Sequence, residues 1–274
     1  MRPWRRLVWA APVVPVAAVC LLATGCGGSA LALDPVASAA TKTEDAGSYK
    51  IDFDMSVSAG GEDVHFTGDG FTDTSTGSAD LDFGFSGLPS TIAAGGSATG
   101  QLILANDELY MELPVLQAEL PGGKQWLELD LAKVAQETGR SLGSFGRLDP
   151  QQWLQELLAS GQAKAVGQET VQGEQMTHYH ADLDPSNLSQ VPASDRAQVG
   201  AALQQLGVTT IPVDVWVDSN GLVRQEKLAL AANGSSFSLT TDLSDFGTAV
   251  SVTPPPAADV FDATALVGAA GNKA

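Results

Sequence analysis

The sequence predicts an α+β domain built on one large curved antiparallel sheet that packs on two or three helices. Many stretches alternate apolar and polar residues with a period of two, which is typical of strands with one buried and one solvated face. Only a few stretches have the apolar period of a helix. These helices are too few to cover both faces of a parallel sheet, so an antiparallel sheet is expected.

Residues 1–25 have the form of an export signal. Three arginines within the first six residues precede an almost wholly apolar run over 7–23, and small residues follow. About 17 apolar residues lie at the lower limit for spanning a bilayer, and Pro12 and Pro15 would kink a helix there. An excised signal is therefore the better interpretation.

Cys26 ends this signal in a pattern that resembles the lipobox of bacterial lipoproteins. In a lipobox the cysteine thiol receives a diacylglyceryl group, and cleavage then makes that cysteine the mature N-terminus. Residues 24 and 25 are suitably small, although Ala23 stands where leucine is preferred. We expect lipidation at Cys26. The alternative is an ordinary secretory signal that is cut near Gly28 or Ala30 and carries Cys26 away.

Composition restricts the possible functions of the mature chain. Removal of the signal leaves 11 basic and 32 acidic residues, a net charge of −21, which repels nucleic-acid phosphates and anionic headgroups. No nucleic-acid partner is expected, and membrane contact should come from the acyl anchor. Cys20 leaves with the signal, so no thiol remains for a disulfide, a zinc site or nucleophilic catalysis.

The pattern along the chain predicts one folded domain. Residues 26–45 are interpreted as a lipidated N-terminus and flexible tether, because the stretch Ser29 to Ala40 is small and weakly patterned. Residues 46–262 form the predicted domain, and 263–274 a C-terminal tail. With 44% apolar residues the chain can bury one substantial core.

Strands dominate the first half of the domain. In SYKIDFDMSVS, Tyr49, Ile51, Phe53, Met55 and Val57 alternate with polar residues. Further strands are predicted around Val64 and Phe66 and over 79–85, 102–104, 109–113 and 126–131. Gly60-Gly61 and residues 73–77 are typical of turns between them.

Helical patterns interrupt the strands in the middle of the chain. Asp149 is a predicted N-cap, with Pro150 at the first helical position and an apolar stripe that ends at Gly161. A second helix is predicted over 194–206, and a short third one over 131–137.

Strands resume in the last third. They are predicted over 163–166, 171–183, 213–218, 222–230, 237–243 and 248–252. Asn220-Gly221 is predicted to be the central pair of a tight hairpin turn with positive φ at both residues.

The order of several segments resembles a known family. These segments are WLELDLA, LDPQQWLQELL, AVGQETVQGEQMTHYHADLD, VDVWVDSNGLVRQEKLAL and TTDLSDFGTAVSVTPPP. Together they are similar to the LppX/LprG type of actinobacterial lipoproteins, whose fold is related to the lipoprotein carrier LolA. The resemblance covers about residues 45–262. It implies a half-barrel sheet around helices and an apolar cavity that in several relatives holds the acyl chains of lipids or lipoglycans.

An apolar interior is predicted on the bulky side of the strands. The candidate lining residues are Ile51, Phe53, Met55, Leu81, Phe83, Leu102, Leu104, Leu109, Met111, Trp126 and Trp153. A sheet with few helices can leave a gap between its layers. The same residues can equally form a filled core, and the sequence alone leaves both possibilities open.

No catalytic residue, metal site or cofactor is predicted. His178 and His180 share a strand face with Asp182, and His65 is a third candidate metal ligand. The other phase of that strand is apolar, so both histidines are expected to face solvent. The sequence contains no GxSxG, phosphate-binding glycine loop or HExxH motif.

The leading hypothesis is a non-enzymatic, monomeric lipoprotein on the outer face of the cytoplasmic membrane that binds or transfers an acylated lipid or lipoglycan. The alternative is an envelope interaction or scaffold protein with a filled core, which works through its acidic surface. An enzyme is the third and weakest hypothesis.

Overall fold

The computed structural model describes residues 35–88, 96–138, 163–183, 204 and 207–265. Two α-helices lie in this part of the chain, α1 over Pro35–Glu44 and α2 over Leu131–Thr138. The strands are β1 Ser48–Ala59, β2 Glu62–Asp73, β3 Ser78–Ser86, β4 Ser97–Ala105, β5 Glu108–Glu112, β6 Trp126–Asp130, β7 Lys164–Val171, β8 Glu174–Leu183, β9 Ile211–Val217, β10 Val223–Ala232, β11 Ser235–Ser244 and β12 Val260–Asp262.

All twelve strands belong to one open sheet. Their order is β12-β6-β5-β4-β3-β2-β1-β11-β10-β9-β8-β7. Every pair of neighbours is antiparallel except β12 and β6, which run parallel. The predicted α+β class with one large sheet is confirmed, and β12 makes the sheet mixed rather than wholly antiparallel.

Tight turns set the register of the neighbouring strands. Gly60 and Gly61 both have positive φ and join β1 to β2, as predicted. The pairs Asn106-Asp107, Gln172-Gly173 and Asn233-Gly234 likewise have positive φ at both residues and join consecutive strands. This is the backbone of the two-residue turn that matches the twist of a hairpin.

The turn at Asn220-Gly221 differs from the prediction. Only Gly221 has positive φ, and its N–H donates to Asp218 O at 3.0 Å, while Asp218 N donates to Leu222 O at 2.9 Å. The Asp218 carboxylate also accepts hydrogen bonds from the N–H groups of Asn220 and Leu222. These bonds make a longer turn that ends in one left-handed glycine, so the prediction of positive φ at Asn220 is wrong.

Two predicted strands differ from the observed ones, and one observed strand was not predicted. The strand predicted over 171–183 begins at Glu174, because Gln172-Gly173 is a turn and residues 164–171 form β7. The strand predicted over 248–252 is absent, and the chain there is irregular. The sequence analysis missed β12, whose three residues are too short to show a period.

Helix α1 replaces part of the predicted tether. Val36, Ala39, Ala40 and Thr43 are buried, and the three apolar ones lie in the core with strands from both halves of the sheet. The prediction of a flexible tether is therefore wrong for residues 35–44. Small residues bury little area each, but they let the helix approach the sheet closely.

The short helix predicted after Leu131 is confirmed as α2. The Asp130 carboxylate accepts a hydrogen bond from Lys133 N at 2.8 Å, which satisfies one of the free N–H groups of the first turn. The helices predicted at 149–161 and 194–206 lie almost wholly outside the described residues. Within the described part, no helix has the length and apolar character required to cross a membrane.

Candidate functional site

The candidate site is the apolar face of the sheet. The strand register brings nine of the predicted lining residues to this face, since Ile51 and Leu81 flank Gly70, Phe53 and Phe83 flank Gly68, and Leu102 and Leu104 face Met111 and Leu109. Met55 shares the phase of Phe53 on β1. Trp153 lies outside the described residues. The sequence therefore identified most of one continuous apolar face, because alternation with a period of two separates the faces of each strand.

One end of this face is a packed core. The core combines α1 residues with β1, β3, β4, β8, β9, β10 and β11, and Tyr49, Val223 and Leu243 in it are 0% exposed. Such complete burial is typical of a close-packed core, which is what the filled-core alternative expects for this part of the sheet.

The other end of the face carries a group of aromatic rings, called here the aromatic surface: Phe53, Phe66, Phe83 and Phe85. Phe66 contacts the other three, with ring centroids 4.9 Å from Phe53, 5.7 Å from Phe83 and 4.5 Å from Phe85. Phe83 is nearly buried and the other three are half-buried. Val57, further along β1, is 36% exposed. This half of the face offers apolar area that the described residues do not fully cover.

Two glycines of β2 allow the close approach of the neighbouring strand and of one of these rings. A Cβ at Gly70 on β2 would lie 2.1 Å from the backbone oxygen of Asp80 on β3. A Cβ at Gly68 would lie 2.4 Å from the Phe53 ring. No side chain fits at these distances, so glycine is required for the close approach of the two strands and of the Phe53 ring to the backbone of Gly68.

Trp126 does not belong to this face. Its partner on β5 is Glu112, and it packs with Ile103, Ala105 and Tyr110 in a second cluster on the opposite side of the sheet. Val252 and Val260 from the C-terminal segment cover that cluster. The prediction of Trp126 as a lining residue is wrong, because Leu127 and Leu129 occupy the apolar phase of β6 and Trp126 the other one.

A hollow of about 690 Å³ lies over β1–β5 and β11, and six of its fifteen lining residues are acidic. Its lining includes Asp52, Asp54, Asp69, Asp82 and Asp242, all from the polar phase of their strands, with Phe53 and Phe83 as the only predicted lining residues. Lys50 contributes a positive charge beside it, 2.9 Å from Asp52 and 3.5 Å from Asp69. This hollow is thus distinct in character from the apolar cavity that the family resemblance implies.

The sequence analysis missed a buried carboxylate on the apolar face. Glu226 on β10 is 2% exposed and lies between Val215 on β9 and Thr241 on β11. The signal was present, because Glu226 shares its strand phase with Leu228 and Leu230. A carboxyl group in such a place requires polar compensation.

A second titratable group lies on the opposite face, near the covered Trp126. The Tyr110 hydroxyl donates a hydrogen bond to Glu108, and burial, with this bond, raises the pKa of Tyr110 far above its usual range. Burial first, and then the neighbouring Glu108, raise the pKa of Glu128. In this part of the sheet carboxylates outnumber cations, so the local field favours protonated groups.

The two histidines of β8 are not both solvent-facing. The His178 side chain is 12% exposed and that of His180 39%. Both rings contact Asp214, and His65 lies elsewhere, with its Nδ1 2.8 Å from Ser56 Oγ. The expectation of exposure is wrong for His178, which stacks on Trp216 of the neighbouring strand. In the described residues no group of three or more His, Cys, Asp or Glu side chains is arranged to hold a metal ion.

These features define an α+β protein with one large open sheet, whose apolar face is packed at one end and aromatic at the other. Comparison with known sequences gives the family. The chain belongs to the LppX_LprAFG lipoprotein family, whose model matches residues 89–252.

Two relatives come from Streptomyces. An uncharacterized 31.2 kDa protein of Streptomyces griseus, from the rplA-rplJ intergenic region, is 36% identical over 177 residues, which are 62% of this chain and 58% of that protein. A candidate lipoprotein of Streptomyces coelicolor is 25% identical over 170 residues, which are 61% of this chain and 52% of that protein. The chain thus spans between half and two thirds of the length of these relatives.

Two solved structures match most of this chain at low identity. LprF from Mycobacterium bovis has a TM-score of 0.45 and 12% identity, and the match covers 81% of this chain and 96% of that one. Lipoprotein LppX from Mycobacterium tuberculosis has a TM-score of 0.44 and 13% identity, and the match covers 80% of this chain and 100% of that one. The family assignment depends on the sequence match.

Proposed function

We propose that this protein is an exported, membrane-anchored lipoprotein without enzymatic activity, which binds the acyl chains of a lipid or lipoglycan and holds or transfers that molecule in the cell envelope. The observation that carries the proposal is the half-buried aromatic surface of Phe53, Phe66, Phe83 and Phe85. Membership of a lipoprotein family supports it.

The chemistry of the aromatic surface suits an acyl chain. Each methylene group that leaves water for an apolar contact contributes about 0.8 kcal/mol, and no charged partner is needed. The packed half of the face, around Tyr49 and Leu243, is fully buried and is not available. We therefore assign the ligand to the other end of the apolar face, which contains the aromatic surface and the neighbouring parts of β1 to β4.

The anchor is assigned to Cys26. Lipidation there would attach the chain to the outer face of the cytoplasmic membrane, and the acyl groups would supply the membrane contact that a net charge of −21 opposes. The domain is expected to act as a monomer.

The proposal is tested by native mass spectrometry of the full chain after mild detergent extraction. We expect a noncovalent lipid mass in addition to the covalent modification of Cys26. Phe66→Gln should remove this lipid, because it places an amide in the middle of the aromatic surface. Phe71→Gln is the matched control, since Phe71 is a half-buried ring of the same strand on the opposite face. Equal lipid retention in both variants would reject the assigned surface.

The alternative function is an interaction or scaffold protein that works through its acidic surface. The acidic hollow of about 690 Å³ favours it, as does the packed half of the apolar face. In that case no noncovalent lipid co-purifies with the wild-type protein. Phe66→Gln would then lower stability without removing any ligand.

A further inference from the structure

We propose that the edge of the sheet formed by β7, β8 and β9 is held by a proton-dependent clasp, in which the doubly protonated ring of His178 joins carboxylates from the two strands beside β8. The clasp consists of Glu169 on β7, His178 and His180 on β8, and Asp214 and Trp216 on β9. This inference is independent of the proposed function.

The geometry of His178 suits a ring that carries two protons. Nδ1 lies 3.0 Å from Glu169 Oε1, and Nε2 lies 2.8 Å from Asp214 Oδ1. An ionised carboxylate only accepts hydrogen bonds, and a neutral imidazole has a single N–H to donate. A neutral His178 would therefore point its unprotonated ring nitrogen at one of the two carboxylate oxygens, and the two lone pairs would repel. The imidazolium form can donate a hydrogen bond to each carboxylate.

The surroundings keep the two carboxylates ionised. Hydrogen bonds from Trp216 and then His178 lower the pKa of Glu169. Burial alone would raise the pKa of Asp214, but hydrogen bonds from His180 and His178 outweigh it, and the net pKa is lowered. Both acceptors of His178 thus carry negative charge over the range in which histidine changes its protonation.

The remaining contacts also favour a positive ring. His178 stacks on Trp216 with centroids 4.5 Å apart and planes 11° from parallel, and an indole face attracts a cation. The Trp216 indole N–H donates to Glu169 at 2.9 Å, so one tryptophan holds both the ring and its acceptor in place.

Other charged residues lie beside the clasp. Lys164 on β7 lies opposite His180 in the strand register, and Lys227 on β10 lies opposite Asp214. Asp182 Oδ1 lies 3.7 Å from His180 Nε2, and His180 Nδ1 lies 2.8 Å from Asp214 Oδ1. Arg224 on β10 contacts Glu174 on β8 at 3.2 Å.

The clasp has a defined pH window. A His178 ring that gives up one proton can donate to only one of the two carboxylates, and where that carboxylate is Asp214 the ring no longer holds β7. As pH falls through the carboxylate range, Glu169 and Asp214 become protonated, and the stability that comes from their lowered pKa values is lost. The edge is therefore held most firmly where both carboxylates are ionised and the His178 ring carries both protons.

The location of the clasp makes β7 the strand that responds. The residues from Lys164 to Thr170 are exposed, and β8 is the neighbour of β7 in the sheet order. The Glu169 side chain of β7 contacts side chains on both β8 and β9. When the His178 bond to Glu169 is lost, the β7–β8 ladder and the Trp216 bond to Glu169 remain, but β7 loses its side-chain link to His178 on β8.

The test combines hydrogen exchange and NMR on the full chain. We expect amide protection factors in β7 to fall about fivefold between about pH 5.5 and about pH 8, equivalent to one net hydrogen bond, while those of β1 and β2 stay constant. His178→Gln should abolish this dependence. His65→Gln should retain it, because His65 is the third histidine and lies outside the clasp.

Side-chain NMR of the unmodified protein gives a result that does not depend on any variant folding. We expect protons on both ring nitrogens of His178 at about pH 5.5. A neutral ring at that pH, or β7 protection that does not change with pH, overturns the proposal. Dependence that persists in His178→Gln also overturns it, and dependence that disappears on addition of a chelator assigns the effect to a metal ion instead.

Discussion

The hydroxyl group of Thr43 on α1 accepts a hydrogen bond from the backbone N–H of Val223, the first residue of β10, at a distance of 2.9 Å. The same hydroxyl donates to Ala39 O at 2.9 Å, and both Thr43 and Val223 are 0% exposed. Lys42 adds a bond from its ammonium group to Asn220 O in the adjoining turn. One turn of α1 thus fixes the β9–β10 hairpin to the packed half of the sheet.

Thr43→Val should destabilise the domain by about 1 to 3 kcal/mol, because it preserves the side-chain shape and leaves the buried N–H of Val223 without its acceptor. Urea denaturation measures the change. Thr41→Val is the control, since the Thr41 hydroxyl is exposed and donates only within the helix, to Ala37 O. Equal losses in the two variants would contradict the role given to Thr43.

Gly70→Ala should lower the free energy of unfolding by about 1 to 3 kcal/mol, because its Cβ would lie 2.1 Å from Asp80 O and the strands would have to separate. Gly84→Ala is a matched change on the next strand, where the nearest atom to a Cβ is 3.8 Å away. We expect Gly84→Ala to stay within about 0.5 kcal/mol of the unmodified protein. Thermal or urea unfolding of both variants checks the contrast.

The two Asn-Gly pairs should respond differently to loss of asparagine. Asn233 has φ of 51°, and Asn tolerates this left-handed conformation better than Ala because its short polar side chain can hydrogen-bond locally, so Asn233→Ala should cost about 1 kcal/mol. Asn220 does not have positive φ, and Asn220→Ala should change stability by less than about 0.5 kcal/mol. A larger loss at Asn220 than at Asn233 would show that the two turns have been assigned wrongly.

Cys26→Ser should move the protein from the membrane fraction to a soluble or unprocessed form, because the hydroxyl cannot form the thioether to the lipid. Fractionation followed by intact-mass measurement gives the result. Cys20→Ser is the control, since Cys20 lies within the predicted signal. A Cys26→Ser protein that fractionates like the unmodified one would disprove the anchor.

Glu128→Gln should stabilise the folded protein at neutral pH by less than about 1 kcal/mol. The pKa of Glu128 is raised by burial and then by Glu108, so the folded state binds this proton more tightly than the unfolded state does. Stability from this group is therefore present at low pH and is lost as pH rises through the carboxylate range. Urea unfolding from pH 4 to pH 7 should show a flatter profile for Glu128→Gln, whereas Glu62→Gln, at an exposed hairpin end, should retain the original profile.

The sequence by itself determined the alternation of the strands, the turn at Gly60-Gly61 and the shared face of Ile51, Leu81 and Leu102. It did so because a strand presents successive side chains to opposite faces, and a period of two is visible in any short window. The same rule predicts that Trp126 lies on the opposite face, since Leu127 and Leu129 occupy the apolar phase of its strand.

Only the tertiary structure decided which elements meet across long sequence distances. Helix α1 reads as a weakly patterned tether, but it is stabilised by contact with strands up to 180 residues away, as between Thr43 and Val223. His178 gains its role from Glu169 and from Asp214, 36 residues on. Such contacts depend on the order of strands in the sheet and on what covers each face. The strand order is set by the free energy of burying one continuous core. The alternation within a single strand does not specify which strands become its neighbours.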